Sequence, residues 1–256
     1  MTNSIPPGWA LTSLDRVASI NPRGFSKEPG DSDFLSFVPM SAVSAGTGDI
    51  DTSQRRYWRD VKRGYVRFEE GDVLFAKITP CMENGKVAIA RNLAGGRGAG
   101  STEFHVVRPT RELLSAFLFY FLLQERVRMD ARLHMTGAVG QLRVPSKWLS
   151  RLSIPVPPIV EQHRIVTAIE EHLSRLDAAV AAFKRVRRLL QPYRMSLRND
   201  LVKVSWKRLM IFPMDGVSRR FLLLQNALTM VARPGHRAVE MSPYCAWAIS
   251  RTANSS

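Results

Sequence analysis

The chain has 256 residues, 45% of them hydrophobic, enough to bury at least one substantial core. Lysine and arginine number 37 against 22 acidic residues, a net charge of +15 that favours a polyanionic partner, duplex DNA above all. Cys81 and Cys245 are too few for a disulfide framework and fit a reducing cytoplasm. The apolar stretch from Leu113 to Leu123 is too short for a bilayer, and Pro6, Pro7 and Gly8 break any signal-like start, so no membrane association is expected.

Taken in chain order, residues 1–155 read as a mixed domain of the α+β class. Segments 34–40, 65–68, 73–78, 86–90 and 103–107 are rich in Val, Ile and Phe and predict short strands. Gly46, Gly48, Gly71, the Asn84-Gly85 pair and the glycine-rich run 95–100 mark turns between them, and the last of these reads as a basic hairpin turn. A single helix is expected over 111–134, its first half buried through Phe117, Phe119, Tyr120 and Phe121. Gly137 and Gly140 then open a loop, and Pro145, Pro155, Pro157 and Pro158 punctuate the segment after it.

Residues 156–202 carry the clearest pattern. Alternate steps of three and four from Val166 meet Ile169, Leu173, Leu176, Val180, Phe183, Arg187, Leu190, Arg194, Leu197 and Leu201, nine of the 11 positions apolar. That is a heptad seam, and it predicts a helix that needs a second helix against it. Pro158 suits the start of such a helix, whereas Pro192 is expected to kink or end it. Residues 203–256 hold eight basic and two acidic residues and apolar patches without a period, such as 221–224, and read as a poorly ordered basic tail.

Catalytic signatures do not assemble. Gln191-Pro192-Tyr193 lacks the leading Asn or Asp and the second proline with which an amino-methyltransferase holds a flipped base. Asp49, Asp51 and Asp60 with Lys62 could surround a divalent ion but fit solvated turns better. The histidines lack metal spacing, and Cys81 has no base beside it. No catalytic residue, metal or cofactor is expected.

Base readout needs polar side chains on constrained elements that enter a groove. Arg55, Arg56, Arg59 and Lys62 alternate with Tyr57 and Trp58 in an expected loop, unless they form only a solvated charge run. Lys77, Thr79, Glu83, Asn84 and Lys86 lie in a connection that Pro80 and Gly85 constrain, which a purely structural turn would also explain. Gln141 and Arg143 close the glycine loop, which could contact phosphate or serve only as a hinge.

At these segments the chain resembles a known family. The stretches Phe37-Val38-Pro39-Met40, Gly71 through Lys86, Gly100-Ser101-Thr102-Glu103-Phe104, Thr136-Gly137 through Gln141, and Ile154-Pro155-Val156-Pro157-Pro158 followed by Glu161-Gln162 resemble specificity subunits of type I restriction–modification systems. Pro7-Gly8-Trp9 with Leu14 is similar to the family's domain start, and the likeness covers about residues 5–200. It implies a target-recognition domain over 1–155, a coiled-coil spacer helix over 156–202, and a non-catalytic role. Its implied partners are double-stranded DNA, a modification (methyltransferase) subunit acting on adenine, and a restriction subunit. The usual subunit has two such domains and two spacer helices, and only one of each is found here. A second copy is therefore the expected partner for the seam at Ile169, Leu173, Leu176, Val180, Phe183 and Leu190. A freestanding DNA-binding protein or remnant is the alternative reading.

Overall fold

A strand that is apolar at every position, as Val73–Ala76 is, must be covered on both faces. The computed structural model, which describes residues 5–138 and 140–209 with side chains through residue 201, shows both covers. In order the elements are β1 (Ala10–Ser13), α1 (Leu14–Val17), β2 (Ala18–Ile20), β3 (Phe34–Val38), β4 (Arg55–Tyr57), α2 (Trp58–Val61), β5 (Val66–Glu69), β6 (Val73–Ala76), β7 (Val87–Ile89), β8 (Arg97–Gly100), β9 (Phe104–Pro109), α3 (Ser115–Leu123), α4 (Glu125–Leu133), α5 (Ser146–Arg151), β10 (Ser153–Val156) and α6 (Ile159–Leu209). One antiparallel sheet runs β2-β9-β6-β7, a second runs β4-β3-β8-β5 with β3 and β8 parallel, and β1 pairs with β10. The fold is α+β, as expected.

Alternation along β6 divides the core. Val73 and Phe75 face a helical layer that supplies Phe117, Leu118, Phe121, Val127, Leu149 and Val166. Leu74 and Ala76 face the second sheet, meeting Val38 and Phe68 alongside Phe104 and Val106. Beyond that sheet, Leu35 and Phe37 bury against Trp58 and Val61. The two sheets are also tied ionically. Asp72, with a side chain only 2% exposed, accepts two bonds of 2.8 Å from the Arg108 guanidinium, whose third nitrogen pairs with Glu69 at 2.8 Å. That hydrogen bonding holds Arg108 above its ordinary pKa.

The structure departs from the sequence expectations in several places. The helix expected over 111–134 is two helices, broken at Gln124 (φ −59°, ψ 136°). α3 is apolar on nearly every side and goes under the sheet, while α4 buries only Val127 and Ala131, so the chain turns to keep Glu125, Arg126 and Asp130 in water. The glycine-rich run is not a hairpin turn. Its second part is β8, a central strand flanked by β3 and β5. A Cβ at Gly98 would land in the Phe68 ring, and one at Gly100 on the Val38 carbonyl, so these glycines make room for neighbours. Arg55 to Tyr57, expected in a loop, form the edge strand β4.

The chain divides after Val180 into two units. In the first, the start of α6 is fastened to the domain by Gln162, which is fully buried. Its Oε1 accepts the Leu114 N–H (2.9 Å), and its Nε2 donates to the carbonyls of Glu112 (2.8 Å) and Pro157 (2.9 Å). Trp9 Nε1 donates to Glu161 at 3.1 Å. In the second unit the helix continues across Pro192 to Leu209. One missing hydrogen bond does not end a helix whose neighbouring turns keep theirs. The expected basic tail lies, from residue 210 on, outside the described residues.

Candidate nucleic-acid interface

The basic–aromatic segment is organised by stacking. Arg56 places its guanidinium 3.7 Å from the Phe37 ring centre and reaches the Tyr65 hydroxyl at 3.4 Å. Arg59 lies 4.5 Å over Tyr57, itself stacked on Phe34 at 4.2 Å. Arg67 lies 4.7 Å over Trp58 and donates to the Lys62 carbonyl at 2.8 Å. A guanidinium on an aromatic face loses rotamer freedom while keeping its charge, which suits a fixed contact to phosphate. Arg55 stays exposed on β4, and Lys62 pairs with Asp31 at 3.2 Å.

The second group grows from two loops that the sequence treats separately. Residues 77–86 join β6 to β7, and residues 136–143 come after α4. They are zipped together: Thr79 N–H donates to the Leu142 carbonyl (3.1 Å), Val144 N–H to the Lys77 carbonyl (2.8 Å), and Ile78 bridges Arg143. Thr136 and Arg143 exchange two backbone bonds of 3.0 and 2.8 Å. Inside the first loop, buried Met82 anchors the turn and Gly85 takes the left-handed conformation (φ +71°) that a side chain would strain.

The candidate side chains in these loops face different ways. Asn84 and Gln141 are exposed and Lys77 is half-buried. Lys86 turns inward, its Nζ donating to the Met40 carbonyl at 2.9 Å. Glu83 pairs with Arg132 at 3.3 Å while its carbonyl accepts from Arg128. The Thr79 hydroxyl is buried without a partner. Arg143 grips Glu103 with two nitrogens at 2.8 and 2.9 Å, which holds the Glu103 carboxyl below its ordinary range. Among the described residues no hydrogen bond or ion pair joins this group to the β4 group. Sequence reasoning missed Glu103, Arg128 and Arg132 as site residues. The four-residue spacing of the two arginines on one helix was a signal for them, and Glu103 stood in the Gly100–Phe104 motif of the resemblance without a role assigned to it.

Asp49 accepts the Thr47 hydroxyl at 2.7 Å, and Asp51 accepts from the Ser53 N–H at 2.9 Å; hydrogen bonding from the Ser53 side chain first, and from its backbone, lowers the Asp51 pKa. Both act locally, within turns. Among the described residues no cluster of three or more potential metal ligands forms, and no helix is long and apolar enough to cross a membrane. On α6, Ile169 is half-buried, whereas Leu173, Leu176, Val180, Phe183 and Leu190 are 46–75% exposed.

An α+β domain that displays cationic and carboxamide groups from loops, followed by a helix with an uncovered apolar seam, has the features of a binding module. The chain belongs to the family described as type I restriction modification DNA specificity domain, whose model matches residues 25–181. It is 37% identical over 174 residues to the type I restriction enzyme EcoAI specificity subunit of Escherichia coli, covering 68% of this chain and 29% of that protein. To the EcoEI specificity subunit, also of Escherichia coli, it is 39% identical over 163 residues, covering 63% and 27%. The chain thus spans less than a third of the length of these curated relatives. The HsdS subunit from Thermoanaerobacter tengcongensis shares the fold, with a TM-score of 0.57 and 24% identity over 94% of this chain and 53% of that one.

Proposed function

We propose that this chain recognises a DNA sequence for a type I restriction–modification complex and carries no catalysis of its own. It works on cytoplasmic double-stranded DNA, and a modification subunit and a restriction subunit act where it binds. The observation that carries this reading is the zipped pair of loops, which presents Asn84, Gln141 and Lys77 from one constrained body within a domain of the specificity family. Rigid placement of amide and ammonium groups is what base readout requires. The stacked arginines of the β4 edge supply sequence-independent contacts to phosphate. Co-expression with the cognate modification subunit and mapping of methylated adenines tests the proposal. One recurrent methylated sequence supports it, and methylation without sequence preference refutes it.

The exposed seam supports a homodimer through α6. Leu173, Leu176, Val180, Phe183 and Leu190 would each meet water on a monomer, and a second copy covers them in a self-complementary, twofold arrangement. Two identical domains related in that way read inverted half-sites, so the mapped target should be a split palindrome. Leu176→Glu with Phe183→Glu should give a monomer by light scattering with an unchanged thermal melt of the domain. A wild-type chain that is monomeric at micromolar concentration, alone and with the modification subunit, excludes the dimer.

A further inference from the structure

We propose that Glu103 and His105 are positioning residues for DNA readout, setting sequence choice by clamping the 136–143 loop from behind without touching DNA. The inference rests on the recognition function proposed above. The loop's exposed positions Gly137, Ala138, Gly140 and Gln141 lie between two fastened ends. Beyond its far end, the Val144 peptide is held on both sides: its N–H donates to the Lys77 carbonyl at 2.8 Å, and its carbonyl accepts from His105 Nε2 at 2.8 Å. The tautomer of His105 is set by its other neighbour. The Asn21 Oδ1 takes the Val106 N–H at 3.0 Å, which turns Asn21 Nδ2 toward His105 Nδ1 at 3.1 Å. Nδ1 therefore accepts, Nε2 donates, and the ring, only 4% exposed, is neutral.

Arg143 completes the clamp. Its Nε and Nη2 grip the two Glu103 oxygens at 2.9 and 2.8 Å, and its Nη1 donates to the Gln141 carbonyl at 3.0 Å. The fork thus fixes the backbone of the residue that carries the exposed carboxamide. Glu103 is itself held, its N–H by the Ser101 hydroxyl (3.2 Å) and its carbonyl by the Lys77 N–H (2.9 Å). Both loops therefore take their placement from the short β8–β9 connection and the start of β9. With its charge already neutralised by Glu103, Arg143 adds nothing to counterion release on DNA, although its sequence position suggests a phosphate contact.

The test uses the full chain with its modification subunit and two duplexes, one carrying the methylated site mapped for wild type and one scrambled. For Glu103→Gln the ratio of specific to scrambled affinity should fall about tenfold, the discrimination that one well-placed base contact carries. Affinity for the scrambled duplex and its salt slope should hold or rise slightly, because the variant leaves the Arg143 charge uncompensated, and neither should fall. Arg143→Lys keeps the charge, loses the fork, and should reproduce the effect, which covers the case that Glu103→Gln does not fold. The exchanged pair, Glu103→Arg with Arg143→Glu, should restore part of the ratio. A chain combining Arg143→Ala with Glu103→Gln, which keeps the net charge, and whose salt slope still drops by about 0.9 places Arg143 on a phosphate and overturns the assignment. An unmoved ratio in Glu103→Gln and Arg143→Lys, with wild type specific, overturns it as well. A wild type that does not distinguish the two duplexes overturns the recognition reading instead.

Discussion

Replacing Arg108 by methionine removes three of the bonds that hold the two sheets in register. Asp72 is left with a side chain 2% exposed and one remaining partner, the Glu69 N–H at 2.7 Å. Breaking a buried pair from one side costs about 3–5 kcal/mol, because the stranded charge keeps its desolvation penalty and loses its compensation. The Arg108 side chain is 26% exposed, so water can partly replace it, and the expected loss lies at the lower end, about 3 kcal/mol. For a domain of this size that corresponds to a fall in Tm of roughly 6–12 °C. Urea unfolding should show a lower midpoint with an unchanged slope. Adding Asp72→Asn to Arg108→Met should recover about 1 kcal/mol or more, since the amide carries no charge to strand. A single-variant loss under about 1 kcal/mol, the range of an exposed pair, would refute the reasoning.

The remaining predictions concern packing, titration and readout. Gly98→Ala should destabilise by about 1–3 kcal/mol, because Phe68 is fully buried and cannot withdraw, and Phe68→Leu should rescue part of that loss in the same melt. Stability should decline as pH falls below about 6.5. Burial lowers the pKa of His105, so the unfolded chain takes up that proton first, and the stabilisation present above 6.5 is lost toward the depressed folded value. Lys77 and Glu103 act on His105 with opposite signs. Glu103, itself lowered by Arg143, adds a second loss below about 4.5. Chemical unfolding at intervals from pH 7.5 to 4 measures both, and His105→Gln should remove the first; a flat profile from 7 to 5 in wild type contradicts it. Asn84→Ala should change the methylated sequence at little cost in stability, whereas Lys86→Met should lose about 1.5–3 kcal/mol, the worth of a charged hydrogen bond, with the sequence choice kept. An altered methylation map for Lys86→Met in a stably folded chain would return Lys86 to the readers.

Local pattern made part of this protein legible in its sequence. The uninterrupted apolar run of β6 and the heptad repeat of α6 are each local patterns, the first of composition and the second of period, because each element's environment is constant or repeats along it. The motifs from Gly71 to Lys86 and from Thr136 to Gln141 located the loops for the same reason: their turns need particular residues at particular places. Only the tertiary structure decided which side chains in those loops face outward. Arg143 and Lys86 look like DNA-binding cations in sequence, yet their charges are held by Glu103, 40 residues away, and by the Met40 carbonyl, 46 away. The break at Gln124 and the strand status of the glycine-rich β8 were hidden alike. The first depends on where the sheet stops covering the helix, and the second on Phe68 filling the space that Gly98 leaves. Those causes are contacts between segments far apart in the chain, and no residue's own chemistry carries them.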